Sequence, residues 1–182
     1  MRVITGLAKG MPLTALRGAA TRPTSDKTKE AIFSAIQFDV EGAVVLDLFA
    51  GSGQLGIEAL SRGAAEAHFV DGSAAAVAVI KDNLARTGFG DGKAHVFRLP
   101  SDAFLRTTKK TFDVAFLDPP FEKSLLETTL KKLLPKMNKH GIIICEHEER
   151  LCLDSLVPEL YRYVEVKVLK HGSCKTTIYR DI

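Results

Sequence analysis

Val45-Leu46-Asp47-Leu48-Phe49-Ala50-Gly51-Ser52-Gly53-Gln54-Leu55-Gly56 is the stretch that decides the fold. An apolar run of strand character enters a Gly-x-Gly-x-x-Gly turn, and Ile57, Ala59 and Leu60 then open a helical pattern. Glycines at such a turn let the backbone approach a ligand and let the helix pack closely on the strand. Asp71 follows Gly51 by twenty residues, at the end of the next strand-like run. An acid there can receive ribose hydroxyls. A turn that only seats a helix on a strand is the plainer alternative. Strand, turn, helix and spaced acid together favour a nucleoside-binding turn.

Outward from this turn, strand-like runs at residues 43–49, 67–71, 95–99, 113–117 and 141–146 alternate with helical segments at 53–62, 74–87, 101–107 and 123–137. Continuous runs such as Val114-Ala115-Phe116-Leu117 and Ile142-Ile143-Ile144 suit strands buried on both faces. The alternation predicts an α/β fold with an open, doubly wound, mostly parallel sheet and right-handed crossovers. Residues 161–169 and 176–180 flank His171-Gly172-Ser173 with no helix between them, which predicts an antiparallel hairpin at the C-terminal sheet edge. At the other end, residues 3–5 and 13–16 flank Gly6 and Gly10 as a candidate hairpin. Thr24 or Ser25 then caps a helix reaching about Phe38, with Pro23 restraining its entry and Ile32, Phe33 and Ile36 facing the core.

Composition narrows the class. A chain of 182 residues, 46% hydrophobic and 26% charged, with mean hydropathy +0.05, reads as one soluble domain. Cys145, Cys152 and Cys174 are odd in number and form no Cys-x-x-Cys pair, which argues against a disulfide framework or structural zinc and for a reducing, cytoplasmic setting. No apolar run approaches the ~20 residues of a membrane span, and no signal-peptide core follows Met1. The five histidines are scattered, and no metal is assigned to them. The net charge is only +3, yet residues 1–38 carry Arg2, Lys9, Arg17, Arg22, Lys27 and Lys29 against Asp26 and Glu30. A basic arm of this kind suggests a polyanionic partner; a solvated basic surface is the alternative.

The acids choose among cofactors. A pyrophosphate at a helix N-terminus wants no carboxylate nearby. Asp47, on the end of the first core strand, opposes a dinucleotide but suits a ligand ammonium. That favours S-adenosylmethionine over NAD. Asp102, in Leu99-Pro100-Ser101-Asp102-Ala103, is placed to accept from an adenine amine or to cap the helix that follows. The fourth strand ends in Asp118-Pro119-Pro120-Phe121. Two prolines remove two N–H donors and leave carbonyls facing outward. The Asp118 carboxylate and the Pro119 carbonyl can take both N–H bonds of an exocyclic amine, while Phe121 stacks on the base. Catalysis then consists of positioning and electrostatics, without a nucleophile or a metal.

Asp47-Leu48-Phe49-Ala50-Gly51-Ser52-Gly53 resembles motif I of class I S-adenosylmethionine-dependent methyltransferases, and Asp118-Pro119-Pro120-Phe121 resembles their amino-methylating (Asp/Asn)-Pro-Pro-(Phe/Tyr) motif. The stretch from Thr21-Arg22-Pro23-Thr24-Ser25-Asp26-Lys27 to Glu30-Ala31-Ile32-Phe33 is similar to the N-terminal signature of RsmD-type 16S rRNA guanine-N2 methyltransferases. Leu60-Ser61-Arg62-Gly63-Ala64, Glu146-His147-Glu148 and Thr177-Ile178-Tyr179-Arg180 fit the same family. The resemblance implies a Rossmann-like fold of seven strands over residues 1–182, with a basic arm at 1–38 and the cofactor-binding core at 39–182. It implies a cofactor site of Asp47, Phe49, Gly51, Ser52, Gly53, Asp71, Gly72, Asp102 and Ala103, with Thr24 beside it, and a catalytic Asp118, Pro119, Pro120 and Phe121. The implied substrate is one guanine N2 in 16S rRNA, within the small ribosomal subunit. Asp71 stands where the family often has glutamate. For the RNA grip, charge singles out Arg2, Lys9, Arg22, Lys27 and Lys29. An adenine-N6 methyltransferase on DNA or RNA is the nearest alternative; a nicotinamide oxidoreductase or a non-catalytic RNA-binding assembly factor lies further off.

Overall fold

The computed structural model describes residues 1–16, 24–90, 92–120 and 123–182. Its centre is a seven-stranded sheet made of β1 (Val44–Leu48), β2 (Glu66–Asp71), β3 (Ala94–Arg98), β4 (Phe112–Leu117), β5 (Met137–Glu148), β6 (Tyr163–His171) and β7 (Cys174–Asp181), in the spatial order β3-β2-β1-β4-β5-β7-β6. The first five strands run parallel, whereas β7 is antiparallel to both β5 and β6. The order reverses between β1 and β4, so the carboxyl ends of these two strands flank the crevice where ligands bind in open α/β sheets.

Helices α1 (Asp26–Ala35), α2 (Gln54–Ser61), α3 (Ala74–Thr87), α4 (Ser101–Thr107), α5 (Lys123–Leu133) and the short α6 (Leu153–Leu156) cover both faces. One core unites Ile32, Phe33, Leu60 and Ile80 of α1, α2 and α3 with Val45, Phe69, Val114, Phe116 and Ile144. The other unites Phe104, Leu105, Leu126 and Leu130 of α4 and α5 with Leu46, Leu48, Ala115, Leu117 and Ile143. Neighbouring strand residues therefore enter opposite cores, which is why the central strands read as unbroken apolar runs.

The parallel core matches the expected strands within a few residues, and α3 and α4 match residue for residue. Ser73 caps α3 by accepting from the Ala76 N–H, and Gly88 ends it in the left-handed conformation. Strand β5 starts four residues before the expected 141. Its register shifts between Phe112 and Val114 of β4, with His140 at φ +62, so the polar Asn138-Lys139-His140 segment joins the sheet through an irregularity. Helix α1 starts with Ser25 accepting from the Thr28 N–H and stops at Ala35, short of Phe38. The expected N-terminal hairpin is displaced. It consists of one antiparallel bridge between Arg2 and Pro12, flanked by Val3 N–H to Met11 carbonyl at 3.0 Å. Ile4 and Thr5 donate instead to the Glu58 carboxylate of α2, at 2.7 and 3.0 Å.

Glu58 is fully buried and also holds the Arg62 Nε at 2.9 Å and the Lys29 Nζ at 3.5 Å. Lys29 is itself 0% exposed and donates to the Arg2 carbonyl at 2.5 Å. This corrects the assignment of Lys29 to an RNA grip. Its ammonium is committed to a buried carboxylate and a backbone oxygen and does not reach solvent. Burial lowers its pKa, opposed by Glu58 and Asp26.

Candidate functional site

The glycine turn is built by conformations other residues resist. Phe49, Gly51 and Gly53 have φ of +67, +55 and +75. The positive φ of Phe49 is held by its own N–H and that of Ala50, which both donate to the Val70 carbonyl at 3.0 Å. Gly56 is required for packing, since a Cβ there would lie 2.3 Å from Cε1 of Phe69. At Gly51 a Cβ would meet nothing nearer than 4.0 Å, so this backbone faces open space. That space is where a ligand would lie.

Three carboxylates gather at this end of the sheet. Asp47 is 3% exposed and accepts from the Gly56 N–H at 2.9 Å. Burial pushes its carboxyl up to about 7 against the pull of that hydrogen bond, and the charges of Asp118 and Asp71 push the same way. Asp71 accepts from the Gly51 N–H at 2.9 Å through one oxygen and from the Ser73 N–H at 2.8 Å through the other. The expected ribose ligand thus also braces the glycine turn in this state. Asp118 is half-buried, Pro119 buried and Pro120 exposed. Phe121 lies outside the described residues. Cys145 pairs with Leu117 across β5 and β4, so Glu146 follows on the strand next to Asp118. Burial raises both the Cys145 thiol and the Glu146 carboxyl.

The remaining expected residues divide. Ser52 lies on the turn, with its carbonyl accepting from Asn83 Nδ2 at 2.9 Å. Gly72 follows β2 in open space. Asp102 does not cap α4: Pro100 holds that position, and Asp102 in the first turn pairs with Lys132 of α5 and with Arg106. The bond from Lys132 holds its carboxyl below the usual range. Ala103 is half-buried beside it, and Thr24 is half-buried just before the Ser25 cap. Arg2, Lys9 and Lys27 are exposed, with Arg2 3.3 Å from Asp26; Arg22 lies outside the described residues.

Asn83 was not singled out from sequence. It is fully buried, accepts from the Thr14 N–H at 2.8 Å and donates to the Thr14 and Ser52 carbonyls. It fastens the N-terminal arm to the glycine turn. The sequence signal was a polar residue between the core positions Ile80 and Leu84 of α3.

A sheet of this order with a reversed seventh strand, a glycine turn after β1 and acids at the ends of β1, β2 and β4 define a class I, Rossmann-like methyltransferase fold. The chain belongs to the family described as Conserved hypothetical protein 95, whose sequence profile matches residues 1–180; this is the RsmD type, within the S-adenosylmethionine-dependent methyltransferases. It is 41% identical over 185 residues to YlbH of Bacillus subtilis, provisionally named an rRNA methyltransferase, covering 99% of this chain and 98% of that one. It is 37% identical to Ribosomal RNA small subunit methyltransferase D of Haemophilus influenzae, over 82% of this chain and 79% of the relative. Among solved structures, the Escherichia coli protein yhhF, provisionally named a methyltransferase, superposes with a TM-score of 0.84 at 30% identity, covering 100% of this chain and 97% of that one.

Proposed function

We propose that this protein transfers a methyl group from S-adenosylmethionine to the exocyclic N2 amine of one guanine in 16S rRNA of the small ribosomal subunit. The observation that carries the reading is the meeting of Asp47, Asp71 and Asp118 at the switch point of the sheet. Three acids crowded against a glycine turn disfavour a pyrophosphate and favour a cationic ligand. The residues fit the cofactor: Asp47 would take its ammonium, Asp71 its ribose, and Gly51 and Gly72, flanked by Phe49 and Ser52, would leave room for it, while Gly53, packed on Ile80 and Phe69, would shape the turn. Asp102, released from Lys132, and Ala103 would border the adenine, with Thr24 closing the site. S-adenosylmethionine supplies an electrophilic methyl on a sulfonium. Asp118 and the Pro119 carbonyl then accept the two amine N–H bonds and hold the nitrogen toward it, while Pro120 keeps the strand end rigid. As positive charge develops on nitrogen, the Asp118 carboxylate favours it. A paired guanine hides this amine in the minor groove, so the base enters unpaired or flipped, with Phe121 stacked on it.

The test is methylation of small-subunit particles from cells lacking this protein, read by nucleoside mass spectrometry. One N2-methylguanosine per 16S rRNA is expected; N6-methyladenosine, or no methylation of either particle or naked RNA, overturns the reading.

Asp47 adds a pH signature. Below pH 7 it is largely protonated in the ligand-free fold, against about 3.9 in the unfolded chain. The folded state therefore binds the extra proton, and Asp47 makes the ligand-free protein less stable as pH rises from about 4 to 7, with no further change above. A ligand ammonium requires the carboxylate. Affinity for S-adenosylhomocysteine accordingly rises by up to about tenfold per pH unit toward 7 and then levels, with a proton released on binding below 7. Calorimetry in buffers of different ionisation heat checks this, and a flat affinity from pH 5 to 8 refutes it.

The RNA grip is narrower than the arm's charge suggests. Arg2, Lys9, Lys27 and Arg22 remain, with Lys29 withdrawn. Reversing Lys9 and Lys27 to Glu should reduce the slope of log affinity against log salt by about 1 for each phosphate no longer neutralised. An unaltered slope would place the RNA elsewhere.

A further inference from the structure

A second cluster lies on β2 and β3, away from the cofactor end. Glu66 and His68 are two residues apart on β2, so they share one face of the sheet, and His95 of β3 is the register partner of His68. One donor atom from each falls within 4.8 Å of the others. Glu66 Oε2 is 3.1 Å from His95 Nε2 and 3.6 Å from His68 Nε2. Donors bound at about 2.0–2.1 Å around a tetrahedral ion stand roughly 3.3 Å apart, and both separations bracket that value.

His68 makes the cluster more than a surface pairing. It is 4% exposed, and among the described residues neither ring nitrogen has a hydrogen-bond partner, since the Glu66 oxygen lies beyond that reach. The ring is wedged between His95 at 4.7 Å, Phe97 at 5.8 Å and Phe112 at 5.4 Å between centroids. The second Glu66 oxygen, Oε1, is held by Lys110 Nζ at 2.6 Å, which leaves Oε2 turned to the two rings. Ligating carboxylates in metal sites are oriented in just this way by an outer partner. His95 keeps 39% of its side chain in solvent and gives an ion its entrance.

We propose that Glu66, His68 and His95 bind one divalent transition-metal ion of the zinc class, with water completing the coordination. Two imidazoles and one carboxylate select zinc, nickel, copper or ferrous iron over magnesium or calcium. The ion ties β3, the edge strand and the most open of the parallel strands, to β2. It sits roughly 10–16 Å along β2 from Asp71, at about 3.3 Å per residue, and so takes no part in methyl transfer.

The experiment is calorimetric titration of the chelator-treated full-length protein with Zn2+, with Mg2+ as control, alongside Co2+ absorption spectra. One Zn2+ per chain is expected, with a raised Tm, no Mg2+ binding and a Co2+ spectrum without thiolate charge transfer. His95→Ala, at a partly solvent-exposed side chain, and Glu66→Gln should each weaken Zn2+ by about 100-fold or more, and the Tm gain should vanish. Absence of saturable Zn2+ binding, equal binding by both variants, or a thiolate band tracing the ion to Cys152 or Cys174 would overturn the assignment.

Discussion

Asp118→Ala should cost about 10²–10³-fold in kcat, the scale on which one preorganised polar group acts in a transition state, while S-adenosylhomocysteine affinity stays within a few-fold. The separation follows from where the group acts. Asp118 directly follows β4 and, in the proposed reaction, accepts from the substrate amine, whereas the ligand ammonium is assigned to Asp47 on β1. Asp118→Asn keeps an acceptor oxygen at the same place and should recover part of the activity. Both variants also remove a negative charge that helps hold Asp47 near pH 7, so the pH range over which affinity rises should move downward. A merely structural Asp118 would instead lose Tm and cofactor affinity together with kcat in the Ala variant. Turnover unchanged in Asp118→Ala, or a loss of cofactor affinity equal to the loss of kcat, would sink the assigned role.

Glu58→Ala carries the largest expected effect on stability, about 3–5 kcal/mol by urea unfolding. The substitution strands several partners at once. Lys29 is left as a buried ammonium, Ile4 and Thr5 lose their acceptor, and the Arg62 guanidinium is deprived of its carboxylate one turn away on α2. Against a typical domain stability of about 5–15 kcal/mol this is a large fraction. Pairing the loss with Lys29→Met removes the orphaned charge, so the double variant should regain much of the deficit. Amide exchange at Ile4 and Thr5 should accelerate in Glu58→Ala, because their N–H groups no longer point into a carboxylate. A cost below about 1 kcal/mol, or unchanged exchange at those two amides, would show that the arm is held by other interactions.

Much of the core was legible because its signals are local. Ser73 and Gly88 bound α3 through a cap and a left-handed turn, and both are visible as residue types at the right spacing. The continuous apolar strands announced a sheet covered on both faces. The N-terminal segment was less legible because charge was read without its helical face. Lys29, Ile32, Phe33 and Ile36 follow the three-and-four spacing of a buried stripe, and Lys29 obeys that stripe rather than its charge. The carboxylate that receives it, Glu58, lies 29 residues away on another helix.

By itself, the sequence determined the order of strands and helices, the glycine turn and the acids at the strand ends, since each depends on residues within one turn or one strand. Only the tertiary structure decided which charges face solvent, that Asn83 fastens the arm to the turn, and that Glu66, His68 and His95 meet. Those outcomes depend on partners 27 to 69 residues apart in the chain. Burial then sets whether such a group is a surface charge, a structural tie or a ligand, because removing water makes an unpaired polar group costly and a paired one specific.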